Sequence, residues 1–195
     1  MPGTVQPLDQ RVREHLTLGD PDAAATAAIE RLGPEILGFL RSVLRDEADA
    51  SDAFSLFAEW VWQGLPSFQG DSSLRTWAYR VAWSAAGRFT RDPWRARRER
   101  LPSSAASRLA AVVRGSTTIA HDAQRSALAR LREKLGPEER MLLVLRLDRE
   151  LSWSEVAEVL AADGSPPPQE AALRKKFERL KAKLEKLARE DGLLE

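Results

Sequence analysis

Apolar residues recur along most of the chain at the three- and four-residue spacing of amphipathic helices. No segment shows the period-two alternation, bounded by hairpin turns, that indicates a half-buried strand. The pattern predicts an all-α fold. In the first half, helices are predicted over Ala23–Arg45, Asp49–Gly64 and Ser73–Thr90, with Gly33 and Pro34 as a break or fresh start in the first.

A second group of helices is predicted after residue 121. Asp122–Leu135 forms the first, and Pro137 then opens another in the sequence GPEERMLLVLRLDRE. Ser152 and Glu155 have the spacing of a capping box, which predicts a short helix starting there. The last and longest helix is predicted over Gln169–Arg189.

The segment Arg95–Thr118 separates the two groups. It is rich in Arg, Ala and Ser, and only Ser107–Val113 has the pattern of a short helix, so we interpret the segment as a flexible linker. The stretch before Asp20 is expected to be disordered and is assigned no role. The predicted division of the chain is an N-terminal extension over 1–21, a small helical domain over 22–92, the linker over 93–121 and a second small helical domain over 122–191.

The helix predicted over Ser73–Thr90 has two unlike faces. One is an apolar stripe formed by Leu74, Ala78, Val81 and Ala85, with Trp77 at its edge. The opposite face carries Arg75, Thr76, Tyr79, Arg80 and Trp83. Aromatic rings between arginines can stack unpaired bases while guanidinium groups hold phosphates. The alternative, that Trp83 packs inside its own domain, stays open at this point.

The preceding helix directs Phe54, Phe57 and Val61 inward and leaves an acidic outer face with an apolar centre. This face consists of Asp52, Ser55, Leu56, Glu59 and Gln63. It suits docking onto a basic protein, because complementary charge steers association and a buried apolar residue holds it. The alternative is a metal held by Asp46, Asp49 and Asp52, but this spacing lacks the Gly turn and terminal Glu of a calcium loop. We therefore predict no metal and no cofactor.

Apolar residues of the last predicted helix follow the spacing of a heptad seam. They are Leu173, Phe177, Leu180, Leu184 and Leu187. The seam lasts little more than two heptads, so a coiled coil competes with a second interpretation. A short capped helix, a turn and a basic helix form a helix-turn-helix, whose second helix enters the major groove with its N-terminus. Gln169 or Glu170 would then reach base edges.

Charge along the chain is segregated, although the net charge of the 195 residues is only +1. Five acidic and no basic residues lie between Asp46 and Glu59, six arginines lie between Arg88 and Arg100, and eight Lys or Arg lie in 169–190. This arrangement is typical of two polyanion contacts and one basic protein partner. Each run taken alone also suits a solvated helix face.

An enzyme is not indicated. The sequence has no phosphate-binding loop and no nucleophile elbow, and GDSS at Gly70–Ser73 has no downstream Asp-x-x-His. There is no cysteine, no apolar run of about 18 residues and no signal-peptide pattern at the N-terminus. We therefore expect a cytoplasmic, non-enzymatic protein without membrane insertion.

These segments have the order and spacing of a bacterial RNA polymerase sigma factor, and the chain resembles the small extracytoplasmic-function (ECF) group. LPSFQGDSSLRTWAYRVAWSAA resembles the loop and helix that recognise the minus-ten element. DEADASDAFSLFAEWVW is similar to the segment that binds the β′ clamp helices of the polymerase. LSWSEVAEVLA and AALRKKFERLKAKL resemble the helix-turn-helix that reads the minus-thirty-five element.

The resemblance implies a non-catalytic initiation factor that binds promoter DNA and core RNA polymerase, through the β′ clamp helices and the β flap. The residues implied to hold the melted non-template strand are Phe68, Gln69, Gly70, Asp71, Ser72, Ser73, Arg75, Thr76, Tyr79, Arg80, Trp83, Ser84 and Arg88. The implied polymerase contacts are Asp49, Asp52, Ser55, Leu56, Glu59 and Trp62. The implied recognition helix presents Gln169, Glu170, Arg174, Lys175, Lys176 and Arg179. An anti-sigma factor and a monomeric free state are also implied.

Two other functions stay open from the sequence. One is a dimeric helix-turn-helix transcription regulator that pairs through its last helix and does not bind core polymerase. The other is a helical adaptor that contacts no DNA and whose binding is insensitive to salt.

Overall fold

The structure, a computed structural model, describes residues 7–91, 105–117, 131–161 and 166–193. Within these ranges the chain is helical and no residue lies in a strand, which confirms the predicted all-α class. None of the described helices combines the length and apolarity needed to span a bilayer. The helix predicted over Asp122–Leu135 lies mostly outside the described residues, which include only its end.

The described helices are α1 (Leu8–Thr17), α2 (Pro21–Val43), α3 (Glu47–Gly64), α4 (Leu74–Arg91), α5 (Ala105–Thr117), α6 (Pro137–Leu143), α7 (Trp153–Leu160) and α8 (Glu170–Glu190). A 3₁₀ turn, Leu65–Ser67, follows α3, and α6 continues as a π-helical segment, Val144–Asp148. The predicted helices that correspond to α2, α3, α4 and α8 end within about two residues of these bounds, the usual uncertainty of a helix end.

Helix α2 runs unbroken through Gly33 and Pro34. Its N-terminus is capped by Asp20, whose Oδ1 accepts the N–H of Ala23 at 2.9 Å, and Pro21 lies in the first turn. The predicted alternative of a break at Gly33 is wrong. Packing of α2 against α1, α3, α4 and α5 outweighs the one backbone hydrogen bond that a proline removes.

Helix α1 lies in the stretch that was expected to be disordered. Leu8, Val12 and Leu16 recur at helical spacing, Val12 is fully buried, and the helix packs against α2. The expectation of disorder before Asp20 is therefore wrong for residues 8–17. These apolar contacts give the segment enough buried surface to be ordered.

Helix α5 corrects the prediction of a flexible linker. It extends beyond the short helix predicted over Ser107–Val113 and packs on α2 and α3. Ala106, Ala110 and Val113 are buried at this contact, at the i, i+4, i+7 spacing of one helical face. The rest of the predicted linker, 93–104 and 118–121, lies outside the described residues.

The C-terminal unit, defined as residues 131–161 and 166–193, contains α6, α7 and α8. The predicted capping box is confirmed: Ser152 Oγ accepts the N–H of Glu155 at 3.2 Å, and Glu155 Oε2 accepts the N–H of Ser152 at 2.7 Å. The apolar seam of α8 packs inside this unit, with Phe177 edge-on to Trp153 at 5.5 Å between ring centroids. The heptad pattern of α8 thus serves an intramolecular core.

One backbone position in the C-terminal unit carries strain that can be tested. Glu150, in the turn before α7, has a φ of 57°, in the left-handed region that disfavours residues with a Cβ. Replacing Glu150 by Gly should stabilise the protein by about 0.5–1 kcal/mol. This net gain is the backbone strain that is relieved, minus the larger conformational entropy that glycine gives the unfolded chain. The shift of the urea midpoint measures this gain. The control Glu150→Ala keeps the Cβ, and an equal gain there would contradict the explanation.

Candidate nucleic-acid interface

The loop 68–73 and the start of α4 are held by hydrogen bonds from two directions. Ser73 Oγ accepts the N–H of Thr76 at 3.0 Å, which caps the helix locally. Asp9 of α1 accepts the N–H of Leu74 at 3.2 Å through its Oδ2 atom. The N-terminal helix therefore fixes the loop from which the predicted strand contacts begin.

Gly70 allows the tight turn in this loop. Its φ is +81°, a conformation that favours glycine, and a Cβ at this position would lie 3.1 Å from Nη2 of Arg13. The close approach places the guanidinium group of Arg13 against the loop. Arg13 was not among the predicted site residues, and it adds positive charge beside the loop.

A cleft of about 270 Å³ opens between the loop and α4. It brings together six of the predicted strand-binding residues, which are Phe68, Gln69, Gly70, Asp71, Ser72 and Arg80. Trp77 forms its floor, with the Phe68 ring tilted against it at 5.4 Å between centroids. The cleft thus combines aromatic surface, amide and hydroxyl groups and a cation, the groups used to hold single-stranded bases.

Tyr79 lies elsewhere, and its prediction as an exposed stacking residue is wrong. Its ring is fully buried, edge-on to Phe39 at 5.2 Å, and its hydroxyl donates to Glu35 Oε1 at 2.7 Å. Burial raises the pKa of this phenol well above its ordinary value. The sequence prediction assigned only one buried face to α4, whereas α2, α3 and α7 all pack against this helix.

Glu35 of α2 is the centre of a polar cluster between α2 and α4. Its carboxylate accepts hydrogen bonds from Arg75 and Tyr79 of α4. Burial alone would raise the pKa of Glu35, but the hydrogen bonds from Arg75 and Tyr79 and the charges of Arg75 and Arg149 outweigh it and lower the pKa. Arg75 was predicted to face DNA, but in this structure it is engaged with Glu35.

The C-terminal unit docks on the same cluster. Arg149 donates to the backbone carbonyl of Glu35 at 3.3 Å, and Arg75 donates to the carbonyl of Arg149 at 3.2 Å. Thr76, which is buried, donates through Oγ1 to Glu155 Oε1 at 3.3 Å. Helix α7 therefore covers the face of α4 on which Arg75 and Thr76 were expected to be open to DNA.

Glu158 of α7 reaches the cleft itself. It lines the cleft beside Arg80, and its Oε2 atom is buried without a hydrogen-bond partner among the described residues. A carboxylate of the C-terminal unit thus borders the space predicted for the melted strand. Farther along α4, Trp83 is partly buried against the core, and Ser84 and Arg88 are half-exposed, so the alternative in which Trp83 packs inside the domain gains support.

The acidic face of α3 is narrower than predicted. Asp52 is exposed and Glu59 and Trp62 are half-exposed, as docking residues should be. Leu56 is only 7% exposed, so the prediction that it lies open on this face is wrong, and Asp49, implied as a polymerase contact, is also buried at 9% exposure. The sequence prediction assigned only one packed side to α3, but α2, α4 and α5 each pack against this helix. Ser55 also accepts a hydrogen bond from Arg114 of α5.

The first acidic residue of this run has a local structural role. Asp46 caps α3, since its Oδ1 accepts the N–H of Asp49 at 2.9 Å, and acidic residues in the first turn complement the helix dipole. Within the described ranges, no group of three His, Asp or Glu side chains is placed to hold a metal ion. The helix N-terminus accounts for the clustering of acid near Asp46 without a metal.

The start of α8 presents cations to solvent, as predicted. Arg174 pairs with Glu170 at 2.8 Å and Lys176 pairs with Glu138 at 2.7 Å, so part of the basic run is neutralised within the chain. Lys175 and Arg179 are exposed and have no ion-pair partner in the described part of the chain. Gln169 is exposed just before the helix. These three side chains remain open at the predicted recognition surface.

A comparison with protein families bears on this arrangement of loop, cleft and acidic helix. Residues 28–96 match the Sigma-70 region 2 family. The match spans about a third of the chain and supports a sigma factor, a non-enzymatic class of proteins that acts in RNA polymerase binding and promoter melting. It contains α3, the loop 68–73 and α4, and so every residue that lines the cleft except Glu158. A search of curated proteins found no match.

Sequence reasoning missed the residues that support the region 2 segment from outside. Asp9 and Arg13 of α1 hold the loop, and Arg149, Glu155 and Glu158 of the C-terminal unit cover α4. The amphipathic spacing of Leu8, Val12 and Leu16 was a signal for α1. No local pattern indicates which distant carboxylate or guanidinium group reaches the cleft.

The Glu35 cluster predicts a dependence of stability on pH. The folded-state pKa of Glu35 lies below its ordinary value of 4.5, so its contribution is present above about pH 4.5 and is lost as the pH falls through the folded pKa. We expect Glu35→Gln to lower the free energy of unfolding by about 1 kcal/mol at pH 7, with the difference from wild type shrinking below about pH 4.5. Urea midpoints across this range measure it.

The matched control is Glu30→Gln, because Glu30 is an exposed carboxylate on the same helix. It should change the midpoint little at any pH. A constant difference between Glu35→Gln and wild type down to about pH 3 would show that the Glu35 charge does not provide the stabilisation.

Proposed function

We propose that this protein is a transcription initiation factor of the ECF type that binds core RNA polymerase and directs it to specific promoters. The observation that carries the proposal is the match of residues 28–96 to Sigma-70 region 2. In this proposal the free protein is a cytoplasmic monomer, and the catalytic site for RNA synthesis belongs to the polymerase. An anti-sigma factor is the regulatory partner that the resemblance implies.

The cleft beside α4 is proposed to hold bases of the melted non-template strand. Phe68 and Trp77 supply aromatic surface, Gln69 and Ser72 supply hydrogen-bonding groups, and Arg80 supplies a cation. Capturing unstacked bases lowers the free energy of the open duplex, and base stacking on aromatic side chains contributes about 1–3 kcal/mol per base. Because α7 covers this side of α4, strand binding requires the C-terminal unit to move away.

The acidic strip of α3 is proposed to bind the β′ clamp helices. Asp52 and Glu59 are accessible carboxylates on one side of the helix, with Trp62 half-exposed one turn farther on. Such a strip attracts a basic surface and speeds association. Leu56 takes part only by supporting the helix from inside, since it is buried.

The α7 and α8 helices are proposed to read upstream duplex DNA as a helix-turn-helix. Lys175 and Arg179 carry charge that is not neutralised within the described chain, and Gln169 stands at the exposed N-terminal end of α8. The alternative function, a regulator that dimerises through α8, needs a free apolar seam. Leu173, Phe177 and Leu180 are buried within the C-terminal unit, which disfavours that alternative.

The first test combines the purified protein with bacterial core RNA polymerase and measures co-elution by size exclusion, then binding of the complex to a pre-melted promoter fragment. We expect both. A double charge reversal, Asp52→Lys with Glu59→Lys, should weaken core binding by roughly tenfold, because it opposes the basic partner. Glu133→Lys reverses an exposed charge outside the region 2 segment and should bind as wild type.

Two results would contradict the proposal. Normal core affinity of the folded double reversal, checked by circular dichroism, would rule out α3 as the docking surface. A stable homodimer that ignores core polymerase and binds a palindromic duplex would establish the alternative function instead.

The proposed recognition helix gives a separate prediction. Lys175→Ala with Arg179→Ala should weaken binding of the polymerase complex to upstream duplex about tenfold and reduce the slope of log affinity against log salt by about 2, one for each phosphate that the variant no longer neutralises. Anisotropy titrations at several salt concentrations measure both values. Lys186→Ala, at the far end of α8, is the control and should leave the slope unchanged. An unchanged slope in the double variant would remove α8 from the DNA interface.

A further inference from the structure

Helix α5 covers part of the α3 surface that is proposed to bind the polymerase. Arg114 of α5 donates to Ser55 Oγ and to the backbone carbonyl of Ser51, the latter at 3.4 Å. Its positive charge also interacts with the carboxylate of Asp52. An arginine of the same chain therefore already occupies the acidic strip where a basic partner would bring its own cation.

The apolar side of α5 packs against α2 at a position where a glycine leaves space. Gly33 has no side chain, and a Cβ at this position would lie 3.0 Å from Cγ1 of Val113 and 3.2 Å from Cζ of Phe54. Val113 therefore fills the space that the glycine leaves above the Phe54 ring. Together with the bonds of Arg114, this contact fixes both the position and the register of α5 on α2 and α3.

The hold on α5 is nevertheless limited. Its fully buried apolar side chains are small, namely Ala106, Ala110 and Val113, while Leu109 is only partly buried against the core and Val112 is 68% exposed. Burial of such small side chains stabilises the contact only modestly, because the stabilisation scales with the apolar area removed from water. A helix of 13 residues is also marginal without its partners. A partner that presents a larger basic surface to α3 can therefore displace α5.

We propose that α5 is a built-in competitor for the polymerase, in which Arg114 holds the acidic strip of α3 in the free protein and leaves it when a basic helical surface of the polymerase docks. The inference rests on the proposed function, because it takes the acidic strip as the polymerase site. It adds that the free chain masks this site with its own residues. Access to α3 then depends on release of α5.

The absence of cysteine from the sequence allows a direct test with a disulfide. A Cβ at position 33 would lie 3.0 Å from Cγ1 of Val113, so the two cysteines of the full-length double variant Gly33→Cys with Val113→Cys are close neighbours. A disulfide needs Cβ atoms about 3.5–4.5 Å apart. We expect the oxidised form to lose binding to core polymerase and dithiothreitol to restore it. Wild type, which has no thiol, should bind equally under both conditions. The reduced variant reports on any folding defect of the substitutions.

A second variant loosens the contact instead of locking it. Arg114→Ala removes the bonds to Ser55 and Ser51, and we expect the affinity for core polymerase to rise about tenfold, the effect of removing a charged hydrogen bond that stabilises the closed form. Arg108→Ala, which changes an exposed arginine on the same helix, should leave the affinity unchanged.

The outcomes separate the two ideas. If oxidised and reduced lock variants, Arg114→Ala and wild type all bind core polymerase equally, α5 is not a competitor, while the proposed function stands. If none of them binds, the proposed function fails and the competitor with it. If only Arg114→Ala binds, the contact masks the site more tightly than expected, and the inference is supported.

Discussion

The carboxylate of Glu35 is where α2, α4 and the C-terminal unit are joined. It accepts hydrogen bonds from Arg75 and Tyr79, and the same residue's carbonyl accepts one from Arg149. A half-buried carboxylate of this kind is stabilised by the donors around it, and removing Arg75 or Tyr79 takes one of these hydrogen bonds away. Glu35 therefore helps to hold α4, which contributes Trp77 and Arg80 to the cleft, although Glu35 itself does not line the cleft. The docking of α7 over α4 uses the same cluster.

Much of the secondary structure could be predicted because it follows from local periodicity. Phe54, Phe57 and Val61 are buried as the spacing of α3 indicated, and Ser152 and Glu155 cap α7 as their sequence separation indicated. These features depend on residues within a few positions of one another. The described helices therefore match the helices predicted from the sequence in type and nearly in length. The exceptions are α1 and the length of α5.

The candidate site was predictable only in part, because burial of α4 is decided by distant segments. A helical wheel assigns one apolar face to the core, but Tyr79 and Thr76 are buried on the other side of α4 by α2 and by α7. Glu35, which pairs with Arg75, and Glu155, which accepts from Thr76, lie 40 and 79 positions away along the chain. No repeat or spacing encodes such pairings. The loop residues, by contrast, were correctly predicted to lie together, because they are adjacent in sequence and Gly70 turns them toward α4.

Glu158 makes the cleft and the C-terminal unit thermodynamically dependent on each other. In the proposed function, a nucleic-acid strand in the cleft would meet this carboxylate beside Arg80 and would compete with the docked α7 for the space. Linkage then requires reciprocity: whatever draws α7 away raises the affinity of the cleft for a strand, and an occupied cleft frees the C-terminal unit by the same factor. If upstream duplex draws the C-terminal unit away from α4, it would favour strand capture in the proposed cleft by this linkage, without any change in the residues that touch either piece of DNA.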